Sequence, residues 1–331
     1  MSIRISIIAL DQCLASAIAG SIDLLHAANQ IGSSLTHDNS PIFDWKISSI
    51  SGEPVCTSNG SMQQVDTRCS YLRKSDVIYV PGIALIDEAR LVNMLTLNQS
   101  VIRWLSGQAT RGSLIASSCT GAFILAEAGL LDGKTATTAW PVTDLFAARY
   151  PGVGLRSDQI LVDSGNIITS GSANSYQDLM LAIIQHFTTE KIARLTARYM
   201  LVDQGRCSQS AYRLRTSHVS TDPLVRAVHK IIHASLDRSL PITHIAEQLN
   251  VSERTLIRKF KQNTGFGPNT YIQNLRIDHA KHLLETTSLS HEDVAQEVGY
   301  SDTSSFRRLF KRKTGMTLGD YRKRFGNNCV T

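Results

Sequence analysis

One pattern is written twice in the last third of this chain, as IAEQLNVS at residues 245–252 and as VAQEVGYS at residues 294–301. Each copy begins like a short helix with one apolar stripe. The turn positions are Asn250 and Gly299, the two residue types that enter the left-handed backbone conformation most cheaply. A tight turn between two helices needs such a residue, so the repeat predicts two helix-turn-helix units.

Each turn leads into a basic helix, for which Ser252 and Ser301 are the predicted N-caps. Three apolar positions in each helix share one arc and are expected to be buried: Leu256, Ile257 and Phe260 in the first, and Phe306, Leu309 and Phe310 in the second. The outward-pointing positions are the candidate DNA-binding residues: Arg254, Thr255, Arg258, Gln262, Thr303, Ser304, Arg307, Arg308 and Arg312.

Arg258 and Arg308 take the same place in the two repeats. An arginine there could bond O6 and N7 of guanine in a major groove, or clamp a phosphate. A basic face that only keeps the surface hydrated would explain one such helix equally well. Because turn, cap and basic face are all duplicated in register, the pattern favours DNA binding.

About the last hundred residues resemble the AraC/XylS transcription regulators. The resemblance rests on these marks: LIRKF at 256–260, Thr264-Gly265, residues 268–271, Leu275-Arg276, VGY at 298–300, FRRLF at 306–310, Gly315 and Tyr321-Arg322. It implies a seven-helix DNA-binding domain in which a long helix, here from about Pro268 to Thr286, holds the two units apart. Such a spacer lets both second helices enter successive major grooves, roughly 34 Å apart.

The charge of the chain is concentrated at one end. Residues 1–204 carry 14 Lys and Arg against 17 Asp and Glu, whereas residues 205–331 carry 20 against 11. The excess of positive charge in the second part suits a polyanion such as double-stranded DNA. An anionic membrane would instead favour an amphipathic helix with large apolar residues on its exposed face. The sequence shows no such helix, so we expect no membrane partner.

Length and composition predict a cytoplasmic protein of two domains. A chain of 331 residues is long for one compact domain, and it has neither a long charge-free apolar run nor a basic leader with a cleavage site. Its six cysteines are scattered without metal-ligand spacing. We therefore expect reduced thiols, no metal and no cofactor.

The first part of the chain alternates predicted strands with predicted helices. Strands are expected at residues 3–10, 45–50, 76–80, 113–116, 135–138, 159–162 and 166–169. Helices are expected at residues 16–31, 87–110, 119–128, 175–187 and 190–203. This order predicts an α/β domain, with a mostly parallel sheet flanked by helices, ahead of the all-α domain. The expected domains are residues 1–204 and 223–331, with a polar linker at 205–222.

A cysteine marks the sharpest predicted turn of the first domain, in SSCTG at residues 117–121. A thiol between a strand and a helix lies near backbone N–H groups and the positive end of the helix dipole, which favours a thiolate and could hold an oxyanion. The alternative is that Cys119 is a small residue that only packs at the turn. The local sequence supports both interpretations.

The first domain also resembles the class I glutamine amidotransferase-like fold in its PfpI-like branch, over roughly residues 3–190. Its marks are VPG at 80–82, the Cys119 turn, AEAGLLDG at 126–133, TTAW at 137–140 and TSG at 169–171. Active members have an acidic residue after the first strand and a histidine just before the tryptophan. Asp23 matches the acidic position, but Ala139 stands where the histidine is expected. The general base of a cysteine nucleophile is therefore missing.

No other histidine of this half, among His26, His37 and His186, falls at the matching position. We therefore expect no enzyme, and a cysteine hydrolase tethered to a DNA-binding domain is the alternative. The turn is instead expected to line a small-molecule pocket, for which the candidate residues are Asp23, Cys119, Thr120, Ala139 and Trp140. Oxidant sensing by Cys119 is a further alternative.

Together the two resemblances imply an AraC-type regulator, expected to act as an activator, with an amidotransferase-like sensory domain. The implied effector is a small metabolite, such as an amino acid or another nitrogenous compound. We expect a homodimer through the N-terminal domain, with RNA polymerase as a further candidate partner. An effector that binds one arrangement of the sensory domains better would change promoter occupancy by a population shift.

Overall fold

The computed structural model describes residues 2–72, 75–84, 87–109, 112–204, 206–213, 222–238, 240–264 and 266–326. The chain forms two compact units, Met1–Gln209 and Ser210–Thr331, and the boundary between them in the sequence falls inside the predicted linker. Linker residues 205 and 214–221, the predicted helix end at Thr110, Gly265 and Cys329 lie outside the described residues.

The first unit is built on a seven-stranded sheet among the residues described. In chain order, the strands of the unit are β1 Ile3–Ile8, β2 Phe43–Ser49, β3 Val55–Cys56, β4 Met62–Gln63, β5 Thr67–Arg68, β6 Val77–Val80, β7 Leu114–Ser118, β8 Thr135–Ala136, β9 Gly154–Leu155, β10 Leu161–Asp163 and β11 Ile167–Ser170. The sheet order is β10-β11-β7-β6-β1-β2-β5. All its pairs are parallel except β10 with β11, so the predicted mostly parallel sheet is confirmed.

Seven α-helices surround this sheet in the described part of the unit: α1 Ala15–Thr36, α2 Glu88–Leu97, α3 Gln99–Ala109, α4 Gly121–Glu127, α5 Thr143–Arg149, α6 Tyr176–Phe187 and α7 Glu190–Tyr199. Helices α1, α6 and α7 pack against one another, and α2, α3 and α4 form a second group. The strands β6 and β7 between them are wholly buried. Their apolar residues therefore form a continuous core with the inner faces of the helices.

The helix predicted over residues 87–110 is two helices, α2 and α3, which meet at Asn98. The Asn98 side chain donates to the Met94 carbonyl at 2.8 Å, and the Asn98 backbone N–H donates to the same oxygen at 3.1 Å. An asparagine that caps the preceding turn in this way competes with helix continuation. The single-helix prediction was therefore wrong.

The second unit contains seven helices among its described residues: α8 Pro223–His233, α9 Ile242–Gln248, α10 Glu253–Thr264, α11 Pro268–Thr286, α12 His291–Glu297, α13 Thr303–Thr314 and α14 Leu318–Phe325. Two separate apolar clusters hold them together. Helix α11 contributes Ile272 to the first cluster and Ile277, Ala280 and Leu284 to the second. It therefore connects the two helix-turn-helix units as predicted.

In the part of the chain that the structure describes, no helix is both long enough and apolar enough to cross a membrane.

Candidate functional site

The two helix-helix turns have the predicted backbone. Leu249 and Val298 are the C-cap residues of α9 and α12, and the next residues, Asn250 and Gly299, have φ of 50° and 77°. Both values lie in the left-handed region, where asparagine and glycine have the smallest steric cost. The duplicated motif is thus a duplicated helix-turn-helix.

The N-caps of the second helices differ between the repeats. Ser252 caps α10 as predicted, because its hydroxyl accepts the N–H of Thr255 at 3.2 Å. Helix α13 is capped by Asp302 and not by Ser301, and the Asp302 carboxylate accepts the N–H groups of Ser304 and Ser305. The hydroxyl and backbone donors of Ser305 and Ser304 lower the Asp302 pKa.

An extra residue explains the wrong prediction for Ser301. Helix α10 begins three residues after Asn250, whereas α13 begins four residues after Gly299. The extra position moves Ser301 out of the cap, and a carboxylate takes its place. An aspartate there satisfies two N–H groups and lies favourably at the positive end of the helix.

The buried face of α10 is narrower than the sequence predicts. Leu256 and Phe260 are buried, but Ile257 is 38% exposed. Ile257 lies one residue, about 100°, beyond Leu256, which carries it from the core to the flank of the helix. In α13, the prediction that Phe306, Leu309 and Phe310 are buried is confirmed.

Most of the candidate DNA-binding side chains are exposed. The exposed set is Arg254, Arg258, Gln262, Ser304, Arg307, Arg308 and Arg312, while Thr255 and Thr303 are half-buried near the helix starts. Arg258 and Arg308 are each the sixth residue of a twelve-residue helix. They make only weak contacts within their own helices, with Gln262 at 3.5 Å and with Ser305 at 3.0 Å. Both guanidinium groups are therefore available to a ligand.

A positively charged cleft of about 480 Å³ lies beside α13. Among its lining residues are His291, Arg307, Arg308, Lys311 and Leu318. Burial, and then the nearby Arg322 and Arg307, lower the pKa of His291. Arg307 bonds the Glu292 carboxylate at 2.5 Å, but both side chains are about half exposed, so this ion pair is weak. The cleft has the charge and size to hold a phosphate group.

The turn at Cys119 in the first unit is a strained elbow. Cys119 has a φ of 55°, and its N–H donates to the Ser170 and Gly171 carbonyls at 3.0 and 2.8 Å. The motifs VPG and SSCTG interlock there, because a Cβ on Gly82 would lie 2.6 Å from the Cys119 Cβ. Likewise, a Cβ on Gly121 would lie 2.6 Å from the Val80 carbonyl oxygen.

The Cys119 thiol is not activated. Only 8% of the residue is exposed, and burial raises the thiol pKa to about 11 against a smaller lowering by Thr120. The expected stabilisation of a thiolate by the helix dipole is thus outweighed by desolvation. At neutral pH the sulfur is protonated.

Three of the other pocket candidates lie around this elbow. The Thr120 hydroxyl bonds both the N–H and the carbonyl of Ile83, at 2.8 and 2.6 Å. The Thr138 hydroxyl donates to the Cys119 carbonyl at 2.9 Å, which places Ala139 and Trp140 next to the elbow. Trp140 in turn donates its backbone N–H to the Ser172 hydroxyl at 3.3 Å.

Asp23 does not belong to this group. It is exposed on α1, eight residues after Ala15, where the helix begins. That position lies about 12 Å along the helix from its start, which is the end held next to Gly82 by the Leu14 N–H. No hydrogen bond among the described residues joins Asp23 to the elbow, and its match to an acidic site residue stays a prediction.

The three histidines of this unit lie away from the elbow. His26 and His37 are farther along α1 than Asp23, and His26 bonds Gln30 at 3.1 Å. His186 lies at the far end of α6, with its ring 4.7 Å from the ring of Phe187. In the described part of the chain, none of them is hydrogen-bonded to Cys119, as a general base for the thiol would be.

Gln209 is a site residue that the sequence analysis missed, since it falls in the predicted polar linker. Its side chain is buried in the first unit and bonds Ser172 and Thr137. A glutamine in a polar segment carries no local sign of burial. Only the packing of residues distant in sequence reveals it.

Comparison with known proteins places both units in known families. A family model described as a helix-turn-helix domain matches residues 245–324, and one described as the DJ-1/PfpI family matches residues 39–186. The first unit also has the fold of Drosophila melanogaster DJ-1beta, whose crystal structure has a TM-score of 0.50 and 21% identity over 61% of this chain and 100% of that one.

Two relatives align with most of the chain. The HTH-type transcriptional regulator CdhR of Pseudomonas aeruginosa is 28% identical over 82% of this chain and 79% of its own length. The HTH-type transcriptional regulator GlxA of Rhizobium meliloti is 31% identical over 65% of this chain and 67% of its own. Both are regulators of transcription and not enzymes. The chain belongs to the AraC-type DNA-binding transcriptional regulators that carry an N-terminal DJ-1/PfpI domain.

Proposed function

We propose that α10 and α13 are the helices that read DNA sequence, and that a small metabolite bound to the first unit controls their occupancy of a promoter. The assignment of α10 and α13 rests on the exposed face that the two helices have in common. Both helices have twelve residues, follow a left-handed turn and present an arginine at the sixth position. One helix, α11, packs into the apolar clusters of both helix-turn-helix units and so holds these two motifs apart.

The exposed residues divide into three kinds of contact. Arg258 and Arg308 are suited to guanine edges or to phosphates. The exposed Ile257 adds an apolar surface that fits the methyl group of thymine. The cleft around Lys311 and Arg307 is suited to a backbone phosphate, which positions the helix without reading sequence.

Selection of bound sequences from random duplexes by the full-length protein tests this assignment. We expect two conserved motifs whose centres are about 10 base pairs apart, because successive major grooves on one face repeat at that distance. A single short motif, with no preference one helical turn away, would mean that only one of the two helices reads bases.

The metabolite is proposed to bind beside the elbow, with walls formed by Cys119, Thr120, Ala139 and Trp140. An amino acid or another nitrogenous compound is the proposed class. Binding would shift the population of the first unit between arrangements, and a homodimer through this unit would pass the shift to four recognition helices and to RNA polymerase. A thermal-shift screen of the full chain against amines and amino acids tests the proposal. A hit that leaves DNA affinity unchanged would contradict metabolite control.

A further inference from the structure

Residues 206–213, here called the strap, join the two units. Its first half is bound to the first unit. The Arg206 guanidinium bonds the Asp178 carboxylate at 2.6 Å, and these side chains are only 17% and 14% exposed. The carbonyl of Cys207 accepts the Ile160 N–H at 3.2 Å, and the Gln209 N–H donates to the Asp158 carbonyl at 2.8 Å. The strap thus adds to the structure of the first unit.

The second half of the strap is bound to the DNA-binding unit. The buried Lys281 ammonium of α11 donates to the carbonyls of Ser210 and Arg213 at 3.1 and 3.0 Å. Ala211 is buried in the apolar cluster of the second helix-turn-helix, and Tyr212 packs against that cluster. The two attachments are separated by a single peptide bond, between Gln209 and Ser210.

The Gln209 carboxamide fills a polar cradle in the first unit. The residue is 3% exposed, and its Oε1 accepts the N–H and the hydroxyl of Ser172 at 3.2 and 3.3 Å. Its Nε2 faces four oxygens: Thr137 Oγ1 at 3.2 Å and the carbonyls of Thr138 at 2.9 Å, Ser157 at 3.1 Å and Gln159 at 3.3 Å. An amide nitrogen has two hydrogens, so the cradle offers more acceptors than Gln209 can use.

The cradle is shaped for this group and adjoins the elbow. A Cβ on Gly171 would lie 2.6 Å from Gln209 Oε1 and 3.1 Å from Nε2, so only glycine leaves room for the carboxamide. Thr138 faces Nε2 with its carbonyl and donates its hydroxyl to the Cys119 carbonyl. The hydroxyl of Ser172 contacts both Gln209 and the backbone N–H of Trp140.

We propose that the cradle is a ligand site occupied by the chain's own Gln209 carboxamide, and that a small carboxamide or primary ammonium compound competes for it. An ammonium has three N–H donors and a charge, so it satisfies more of the four oxygens than an amide nitrogen. Such a ligand binds only the form of the protein in which the Gln209 side chain has left the cradle. It therefore shifts the population toward molecules whose strap is released. The inference rests on the proposed function in one respect, that release changes DNA binding.

Replacing Gly171 tests the cradle without altering the strap. In the full-length protein, Gly171→Ala is expected to speed backbone hydrogen exchange at residues 206–209 at least tenfold, because its methyl group overlaps the carboxamide. Gly152→Ala is the matched control, since nothing lies within 4 Å of its added methyl. Unchanged exchange in β7 and α1 shows that the fold persists. Equal exchange of residues 206–209 in wild type, Gly171→Ala and Gly152→Ala would overturn the proposal.

Chemical rescue tests the ligand class. Gln209→Ala removes a fragment equivalent to acetamide, so saturating acetamide is expected to raise the melting temperature of that variant by about 3 °C. Methylammonium is expected to do the same, whereas N,N-dimethylacetamide, which has no N–H donor, is not. Wild type, with its cradle filled, is expected to respond less. A variant that acetamide does not stabilise, or a wild type that responds equally, would overturn the proposal.

DNA affinity, measured separately, distinguishes the two proposals. If Gln209→Ala is rescued by acetamide, and if acetamide also changes its affinity for DNA, both the cradle and its regulatory role are supported. If rescue occurs while DNA affinity stays constant, the coupling between cradle and DNA-binding unit is overturned. The assignment of α10 and α13 as recognition helices is unaffected by that result, because it depends on different residues.

Discussion

The Cys119 thiol lies at the tip of the elbow, and burial raises its pKa to about 11, from the ordinary value of 9.0. The thiolate is the nucleophile, so at pH 8 the reactive fraction should be about a hundredfold smaller than for an ordinary thiol. Because the pKa is raised, reactivity should increase as the pH rises toward 11.

Alkylation of the native protein by iodoacetamide, followed by peptide mass spectrometry, measures this difference. Cys207, which is exposed, is the internal control. We expect Cys207 to react at least tenfold faster than Cys119 at pH 8. Equal alkylation rates would contradict the conclusion that the Cys119 thiol is not activated. They would favour the alternatives in which Cys119 acts as a hydrolase nucleophile or as an oxidant sensor.

Individual residues also show where sequence reasoning reaches its limit. Asn250 and Gly299 were predictable, because a left-handed turn selects so few residue types. The cap at Asp302 was not, since Ser301 and Asp302 are both good caps and only the length of the turn decides between them. The burial of Gln209 depends on hydrogen-bond partners from residues 137–172, which no local pattern connects.

Among the elements, α11 depends on one buried arginine to join the two helix-turn-helix units. Arg276, 8% exposed, donates to the carbonyls of Leu236 and Arg238 in the segment after α8. Its guanidinium carbon also lies 5.2 Å from the centre of the Tyr300 ring, next to the second turn. A Cβ on Gly299 would lie 2.7 Å from Arg276 Nη2, so the turn and the arginine are packed together.

Arg276→Met is therefore expected to destabilise the protein by about 2–4 kcal/mol, because two partly buried carbonyls lose a charged donor. Arg276→Lys should recover only part of this loss, since an ammonium lacks the planar fork. Arg226→Met, at an exposed position of α8, is the control. Denaturant unfolding of the second unit measures the effect, and a loss no larger than that of Arg226→Met would contradict the role of Arg276.

The bounds of α11 were predictable, whereas the break between α2 and α3 was not. Pro268 is preorganised for the first turn of a helix, and the apolar spacing continues from there to Thr286. At Asn98 the apolar spacing also continues, so periodicity alone predicts one helix. The side-chain bond from Asn98 to Met94 decides the outcome.

At the scale of the whole molecule, the strap determines where the DNA-binding unit begins. Ala211 and Tyr212 belong to the apolar cluster of the second helix-turn-helix, and Lys281 is bonded to the strap. A fragment of residues 210–331 should therefore melt several degrees higher than one of residues 222–331, by about 4 °C or more. Both fragments should bind DNA, because they carry the basic excess.

Thermal melts and DNA titrations of the two fragments check this expectation. The same melting temperature for both would contradict the role of residues 210–213. Loss of DNA binding by both would mean that the first unit is required for binding and not only for its control.

For the full chain, the affinity for DNA should fall steeply as the salt concentration rises, since many phosphates are neutralised.

Paired footprints test most directly the claim that α10 and α13 both read DNA. Arg258→Ala and Arg308→Ala, each in the full-length protein, should weaken specific binding by about 1–3 kcal/mol, roughly 5- to 150-fold in Kd. Each should also relax sequence preference at its own half of the site. Arg226→Ala should bind like wild type. Unchanged footprints and affinity in both Arg258→Ala and Arg308→Ala would contradict the claim.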